Sequence, residues 1–484
     1  MTSFTESDSG YTSVDTPPPV SLPEARRIMF SLMFPSMLMP MISTMSRVAL
    51  PIIRDEFQLQ ADVTAWVAAA FTLPFMLLTP VYGRLGDGVD PRRLILMGIV
   101  IYASGAVLVM SATTAGAVMF GSLVLGLGVA GMMPLGMALI TSLFDEGERG
   151  KALGIWSSVG PTTGFVGPFV AGLLAAAWGW RSSYAPAIIV SVVAFLVVWI
   201  RVPSRKKQSG ETRAYLKAFD WLGFVLLSGA LATFVFFLSS RAITGVEPMR
   251  DWRLLGASIA FFVAFGIWER RRTIAFVPTQ ILTNLRFTTS SFCAATRMMA
   301  MGGLSFLMPL YLVDVHGLAP AQLGGMLVIN SGAMATVTRF GGGLSDRWGT
   351  RIPASIGLTI QMVVLIIFWT LPGETSLFII GLSLALHGLG AGIMLASLHR
   401  YVMGTVENAD QGAAAGVYSM LRFIGAVIGT SISGVFLQKN LDAGLDLLSA
   451  YQETFVILAI FPVAGFLVAQ SMKETTTERG EIHD

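Results

Sequence analysis

Gly83-Arg84-Leu85-Gly86-Asp87-Gly88-Val89-Asp90-Pro91-Arg92-Arg93 returns, altered, as Gly342-Gly343-Leu344-Ser345-Asp346-Arg347-Trp348-Gly349-Thr350-Arg351. Each copy carries Gly-x-Leu-small-Asp, then turn residues, then basic residues. Each is bracketed by apolar runs of about 20 residues, the length that crosses a bilayer as a helix. A basic loop repeated between membrane-length runs predicts an all-α polytopic membrane protein with duplicated halves. The Asp of each copy is expected to cap the helix that follows. The arginines are expected to hold the loop in the cytoplasm, and the glycines to let neighbouring helices approach closely.

Working outward, apolar runs bounded by charges or turn residues fall at 29–50, 63–83, 94–112, 116–141, 153–176, 184–200, 220–239, 254–269, 288–313, 321–342, 353–371, 376–398, 412–435 and 453–471. About 14 membrane helices are therefore expected. Composition agrees: of 484 residues 54% are hydrophobic and only 13% charged, too few charges to cover a soluble fold of this size. The continuous runs exclude a β-barrel, whose strands alternate. The single cysteine, Cys293, excludes an internal disulfide, and a net charge of +3 argues against a nucleic-acid partner. A monomer in the cell membrane is expected.

Lys and Arg set the orientation. With the N-terminus in the cytoplasm, 22 basic residues fall inside and 6 outside, the latter being Arg54, Arg181, Arg241, Arg250, Arg253 and Lys439. Both termini are thus expected in the cytoplasm. The expected organisation is a disordered polar tail at 1–27, a six-helix bundle at 28–201, a basic linker with an inserted helix pair at 202–272, a second six-helix bundle at 273–472 and a tail at 473–484.

The two loops resemble the signature of the major facilitator superfamily. The first copy lacks the usual Arg after Asp87 and has Asp90 where Gly is usual. Gly154, followed by Gly167-Pro168-Phe169-Val170-Ala171-Gly172, resembles the fifth-helix antiporter motif with one Gly replaced by Ala. Val48-Ala49-Leu50-Pro51, Gly179-Trp180-Arg181, Phe219-Asp220-Trp221-Leu222-Gly223 and Leu421-Arg422-Phe423-Ile424-Gly425 resemble stretches of the fourteen-helix drug:proton antiporter branch. The likeness runs from about residue 28 to 471. It implies two bundles rocking around a central cavity. It also implies a gating role for Gly83, Asp87, Arg92, Arg93, Gly342, Asp346, Arg347, Gly349 and Arg351, and contact between the bundles through Gly154, Gly164, Gly167, Pro168 and Gly172. No cofactor is implied.

The chain departs from that branch at two places. Ile42 stands where the first helix usually carries an acid, and Ser122 where the fourth carries an Arg. Both groups are tied in the family to proton coupling. None of the 29 acidic residues falls near the middle of a span. His387 is the one deep group that titrates near neutral pH on its own, unless it is a packed, hydrogen-bonded interface residue.

Four arginines lie within spans, where an unpaired charge costs about 2.5–3.5 kcal/mol on insertion scales. Arg47 is expected to snorkel outward. Arg339 is expected to pair with Asp346, about 10 Å along the helix. Arg422 matches a family arginine and is open between a functional and a structural place. Arg297 is the deepest and the leading cavity candidate. Met41, Met45, Asn330 and Gln361 complete the expected cavity set, as adaptable thioethers and oriented amides; packing between helices is the other reading for them.

The expectation is export of a hydrophobic or amphiphilic small molecule, neutral or anionic, by alternating access. A facilitator or importer without proton coupling, and a sensor that has lost transport, are the alternatives. Neither a metal-ligand cluster nor a phosphate-binding loop occurs, so an enzyme or an ATP-driven pump is not expected.

Overall fold

The structure is a computed structural model that describes residues 21–204, 209–272, 281, 283–403 and 411–472. Residues 1–20 and 473–484 of the expected tails, and 205–208, 273–280 and 282 of the linkers, lie outside them. Among the described residues every regular element is a helix. In lipid this is the solution that satisfies all backbone donors and acceptors within one segment.

The first half comprises α1 (Leu22–Glu56), α2 (Ala61–Gly88), α3 (Pro91–Met110), α4 (Ala115–Val129), α5 (Met132–Leu143), α6 (Glu146–Ser157), α7 (Val159–Trp178) and α8 (Ala185–Arg201). The middle comprises α9 (Ser209–Ala218), α10 (Trp221–Leu238), α11 (Arg241–Thr244) and α12 (Trp252–Glu269). The second half comprises α13 (Leu285–Asp314), α14 (Pro320–Trp348), α15 (Arg351–Thr370), α16 (Leu377–Met403), α17 (Gln411–Asp442) and α18 (Leu447–Ala469). Pairs α4/α5 and α6/α7 are each one crossing with a break, at 130–131 and at Ser158. Pro161 follows the second break and Pro168 lies within α7, so ring sterics account for the kink.

Thirteen helical segments among the described residues are long and apolar enough to span a bilayer. The remaining expected crossing is α14, which is 29 residues long. Gln322, Asn330 and the small polar residues of α14 keep it less apolar, as suits a helix that faces water on one side. The first boundary differs from expectation: α1 already begins at Leu22, with Ala25 and Ile28 buried, rather than following a tail to residue 27.

Helices α1–α8 pack among themselves, as do α13–α18, giving two six-helix bundles. The bundles meet along two seams, α2 against α17 and α7 against α14, with α1 touching α13 between them. Of the inserted pair, α10 rests beside the first seam, against α2 and α17, and α12 packs on α10. There Trp66 Nε1 donates to Ser239 O at 3.0 Å, and the Trp66 ring lies tilted against Phe236 with centroids 5.3 Å apart. Large apolar side chains such as Ile200 and Phe378 point outward. In lipid that arrangement is neutral, so helix association comes from close packing instead.

Both repeats lie at one end of the molecule, the basic end. The repeat itself differs from expectation. Residues 83–88 form the last turns of α2, and the residue that caps α3 is Asp90, accepting from Arg92 N at 3.1 Å, not Asp87. Helix α15 starts at Arg351, and Thr350 before it gives no side-chain cap. Gly342 and the side chains of Asp87, Asp346, Arg347 and Arg339 lie outside what is described, so the expected Arg339–Asp346 pair does too.

Candidate substrate cavity

Between the two bundles lies a cavity of about 1700 Å³. Its geometry follows from how the seams close. Near the far end α7 and α14 touch backbone to backbone. A Cβ on Gly172 would sit 2.6 Å from Pro320 O, and one on Gly324 would collide with Pro168 O. Toward the basic end the same two helices part. A Cβ on Gly154, Gly160 or Gly164 meets nothing within 4 Å, and all three glycines line the cavity. The expected contact motif is therefore divided. Pro168 and Gly172 lie on the seam, Gly167 packs inside its own bundle against Thr44, and Gly154 and Gly164 face open space.

The far end is also held by ion pairs. Arg54, ending α1, makes a two-pronged contact with Asp314, ending α13: Nη1 to Oδ2 and Nη2 to Oδ1, both at 2.6 Å. Tyr451 of α18 donates to Asp314 Oδ2 at 2.5 Å. At the other seam Arg241 reaches Asp62 of α2 at 3.3 Å and Asp442 of α17 at 3.5 Å, and Ala61 N donates to Gln438 Oε1. A Cβ on Gly434 of α17 would meet Ala65 Cβ at 2.5 Å. The cavity is thus closed at the far end and reaches the basic end, where Gly83, Arg84, Tyr215 and His399 line it.

Other described residues of the repeats make contacts at the same end. Arg92 donates to Trp199 O, Arg93 approaches Asp90 at 3.7 Å, and Arg351 donates to Gln470 at 2.7 Å. Gly349 ends α14 with φ +70°, a left-handed conformation that favours glycine.

Of the expected cavity residues, Arg297, His387, Asn330 and Arg422 line the wall. Met41, Met45 and Gln361 do not, which corrects the expectation for these three. Helix geometry gives the reason. Met39, Ile42, Ser43, Ser46, Arg47 and Leu50 recur at the three-to-four-residue spacing of one helix face. Met41 and Met45 fall on the opposite face, 3% and 4% exposed in the core. Gln361 is buried behind His387 and serves it. Arg47 corrects a second expectation, since it points into the cavity instead of snorkelling. Met298, Met301, Met334 and Met420 supply the thioether lining. Ile42 and Ser122, the two positions that depart from the family, both line it.

The second bundle holds the polar machinery. Asn330 Nδ2 lies 3.0 Å from His387 Nδ1, and Gln361 Nε2 lies 3.4 Å from His387 Nε2. With Asn330 donating, His387 is the neutral Nε2–H tautomer. Gln361 Oε1 has no partner among the described residues. Turning that amide brings the oxygen to the ring N–H and removes the unmet acceptor. His387 is accordingly held between two side-chain amides.

Arg297 is 2% exposed, and its Nη1 finds only Met301 Sδ at 3.1 Å and Ala391 O at 3.5 Å. Arg422 lies over the rings of Phe423 at 4.9 Å and Tyr418 at 5.8 Å. The Nε of each arginine lacks a hydrogen bond. Among the described residues no carboxylate pairs with Arg47, Arg297 or Arg422, and none lines the cavity. Unpaired guanidiniums in a low-dielectric wall favour a bound anion.

The sequence profile of the Major Facilitator Superfamily matches residues 32–295 and again 290–481. The tetracenomycin C resistance and export protein of Streptomyces glaucescens is 25% identical over 408 residues, covering 84% of this chain and 74% of its own. The multidrug resistance protein Stp of Mycobacterium tuberculosis is 28% identical over 404 residues, covering 82% and 73%. The riboflavin transporter RibZ of Clostridioides difficile is 22% identical over 397 residues, covering 81% and 84%. Among solved structures, a bacterial homolog of the human lysosomal transporter Spinster, inward-facing and occupied, superposes with a TM-score of 0.67 at 16% identity, over 93% of this chain and 97% of that one. Two bundles around one cavity, matched by a family profile in each half, place the chain in the major facilitator superfamily, as a multi-pass transporter of the plasma membrane.

Proposed function

We propose that the protein exports an amphiphilic small molecule, neutral or anionic, by alternating access, with the basic end in the cytoplasm. One observation carries this reading. The cavity reaches the basic end, and its wall combines methionines and other apolar side chains with Arg47, Arg297 and Arg422, while no described lining residue is acidic. Apolar walls take a flexible hydrophobic body. The arginines take an acidic or strongly polar head. Arg84 of the first repeat lines the cavity at the basic end, and the positive-inside rule makes that end cytoplasmic. Relatives named for resistance and export are consistent with outward transport.

The gating role of the 83–93 and 342–351 repeats, and the two-bundle division near 202 and 272, belong to the same proposal. A facilitator without proton coupling is the second reading, favoured by Ile42 and Ser122 on the cavity wall. The test is uptake into inside-out membrane vesicles. A carboxylated aromatic dye is expected to accumulate at least about threefold over vesicles lacking the protein. Uptake of a quaternary ammonium dye with none of the carboxylate overturns the charge preference. Accumulation confined to right-side-out vesicles overturns export.

A further inference from the structure

We infer that export is powered by the membrane potential acting on the negative charge of the substrate, with Arg297 and Arg422 as its counter-ions and with no proton returned. This rests on reading the cavity as an anion site. It goes further by assigning the energy source.

The charge inventory of the wall is one-sided. Among the described residues its strongly charged groups are Arg47 on α1, Arg84 on α2, Arg297 on α13 and Arg422 on α17, and its imidazoles are His387 and His399 on α16. Two tyrosines, Tyr184 and Tyr215, are the other ionisable groups among the described lining residues. A proton-coupled exporter needs a group that is protonated facing one side and released facing the other. The carboxylates nearest the bundle seams, Asp62 and Asp314, are engaged at the far end by Arg241 and by Arg54 with Tyr451. His387 has an amide at each ring nitrogen. The described wall therefore presents no free carboxylate to carry a proton.

Arg297 is in the opposite condition. It is nearly fully buried and aimed into the cavity, its Nε has no partner, and its Nη1 rests against a thioether and a long carbonyl contact. Arg422 is likewise held by ring faces and leaves its Nε unmet. An anionic head between them completes both guanidiniums and reduces the charge that must cross the occluded state. The site charges belong to the protein, so each cycle carries the charge of the substrate outward. An inside-negative potential favours that movement by about 2.3 kcal/mol per charge per 100 mV, a ratio of about 50 for a monovalent anion. A cationic drug is opposed by the same potential and needs a returning proton. An anionic substrate does not, and this makes physical sense of Ile42 and Ser122.

The experiment uses the full-length protein in proteoliposomes, with three probes of similar size: naphthalene-1-sulfonate, the neutral naphthalene-1-sulfonamide and the N-methylquinolinium cation. The sulfonate stays ionised at every working pH, so it carries no proton of its own. With a potassium diffusion potential of about 100 mV, lumen positive, sulfonate is expected to accumulate toward about 50-fold. Reversing the potential should empty the vesicles, and a pH gradient at zero potential should do nothing. Arg297→Gln is expected to lower the sulfonate-to-sulfonamide rate ratio at least about 10-fold, a ratio that loss of folded protein does not change. Sulfonate transport that follows the pH gradient and ignores the potential overturns the energy source while leaving the anion site standing. Transport that requires an anion on the opposite side, with no response to potential, does the same. Transport of the quinolinium without the sulfonate removes the anion site itself.

Discussion

Replacing Asp314 by Asn is expected to open the far end. The carboxylate joins α13 of one bundle to α1 of the other through two contacts of 2.6 Å from Arg54, and it also takes the Tyr451 hydroxyl. Both partners are largely shielded, with side chains 18% and 11% exposed. Breaking a fully buried pair by removing one charge costs about 3–5 kcal/mol. The residual exposure and the retained shape of Asn reduce that to about 2 kcal/mol. If the pair is absent when the far end is open, that energy moves the equilibrium about 30-fold toward the open form. The measurement is labelling of Ser305→Cys on the cavity wall, in a Cys293→Ser background, by a membrane-impermeant maleimide added on the far side. Labelling should rise on the order of 30-fold, and the exchange Arg54→Asp with Asp314→Arg should return it most of the way. Unchanged labelling in a variant that still transports would make the pair a bystander.

Two alanine substitutions on the α7/α14 seam are expected to act in opposite directions. In Gly324→Ala the new methyl collides with Pro168 O and lies 3.2 Å from Gly172 Cα. These are backbone atoms, so relief comes only from parting the helices, which is the movement that opens the far end. Overpacking of this kind costs about 1–3 kcal/mol, a shift of about 5- to 150-fold. In Gly164→Ala the methyl enters open space and costs nothing in this state. When the basic end closes, α7 and α14 must approach there, and the same methyl then obstructs. Far-side labelling of Ser305→Cys should rise in Gly324→Ala and fall in Gly164→Ala. A change of the same sign in both would mean that the seam does not rock about its middle.

Legibility in the sequence followed the range of the physics. The crossings were readable because a membrane-length apolar run must form its hydrogen bonds within itself. The inserted pair appears at Trp221–Leu238 and Trp252–Glu269, close to where length and polarity placed it. Arg297 was readable as a site candidate because a charge in mid-span needs a reason. Met41 and Met45 were not readable as core. Helix α1 is apolar on nearly every face, so no polar stripe marked which face lies toward water. The direction of Arg47 is hidden for a related reason, since depth along a helix does not reveal which way a side chain points. Gln361 lies one layer behind the wall, and only its contact with His387 shows that it acts as a support.

The sequence by itself determined the class of molecule, the number of crossings, the duplicated halves, the asymmetry of basic residues between the two ends and the scarcity of charge in mid-membrane. Each of these is set by local composition or by counting along the chain. Tertiary structure decided the rest. It alone shows that Arg54 meets Asp314 across 260 residues, that α7 and α14 touch at one end and part at the other, and that Arg47, Arg297 and Arg422 share one cavity without a described carboxylate. These facts depend on the rotation and crossing of whole helices. In lipid that rotation is set by close backbone packing at residues such as Gly172, Gly324 and Gly434, and hydrophobic patterning, uniform around each helix, carries no record of it.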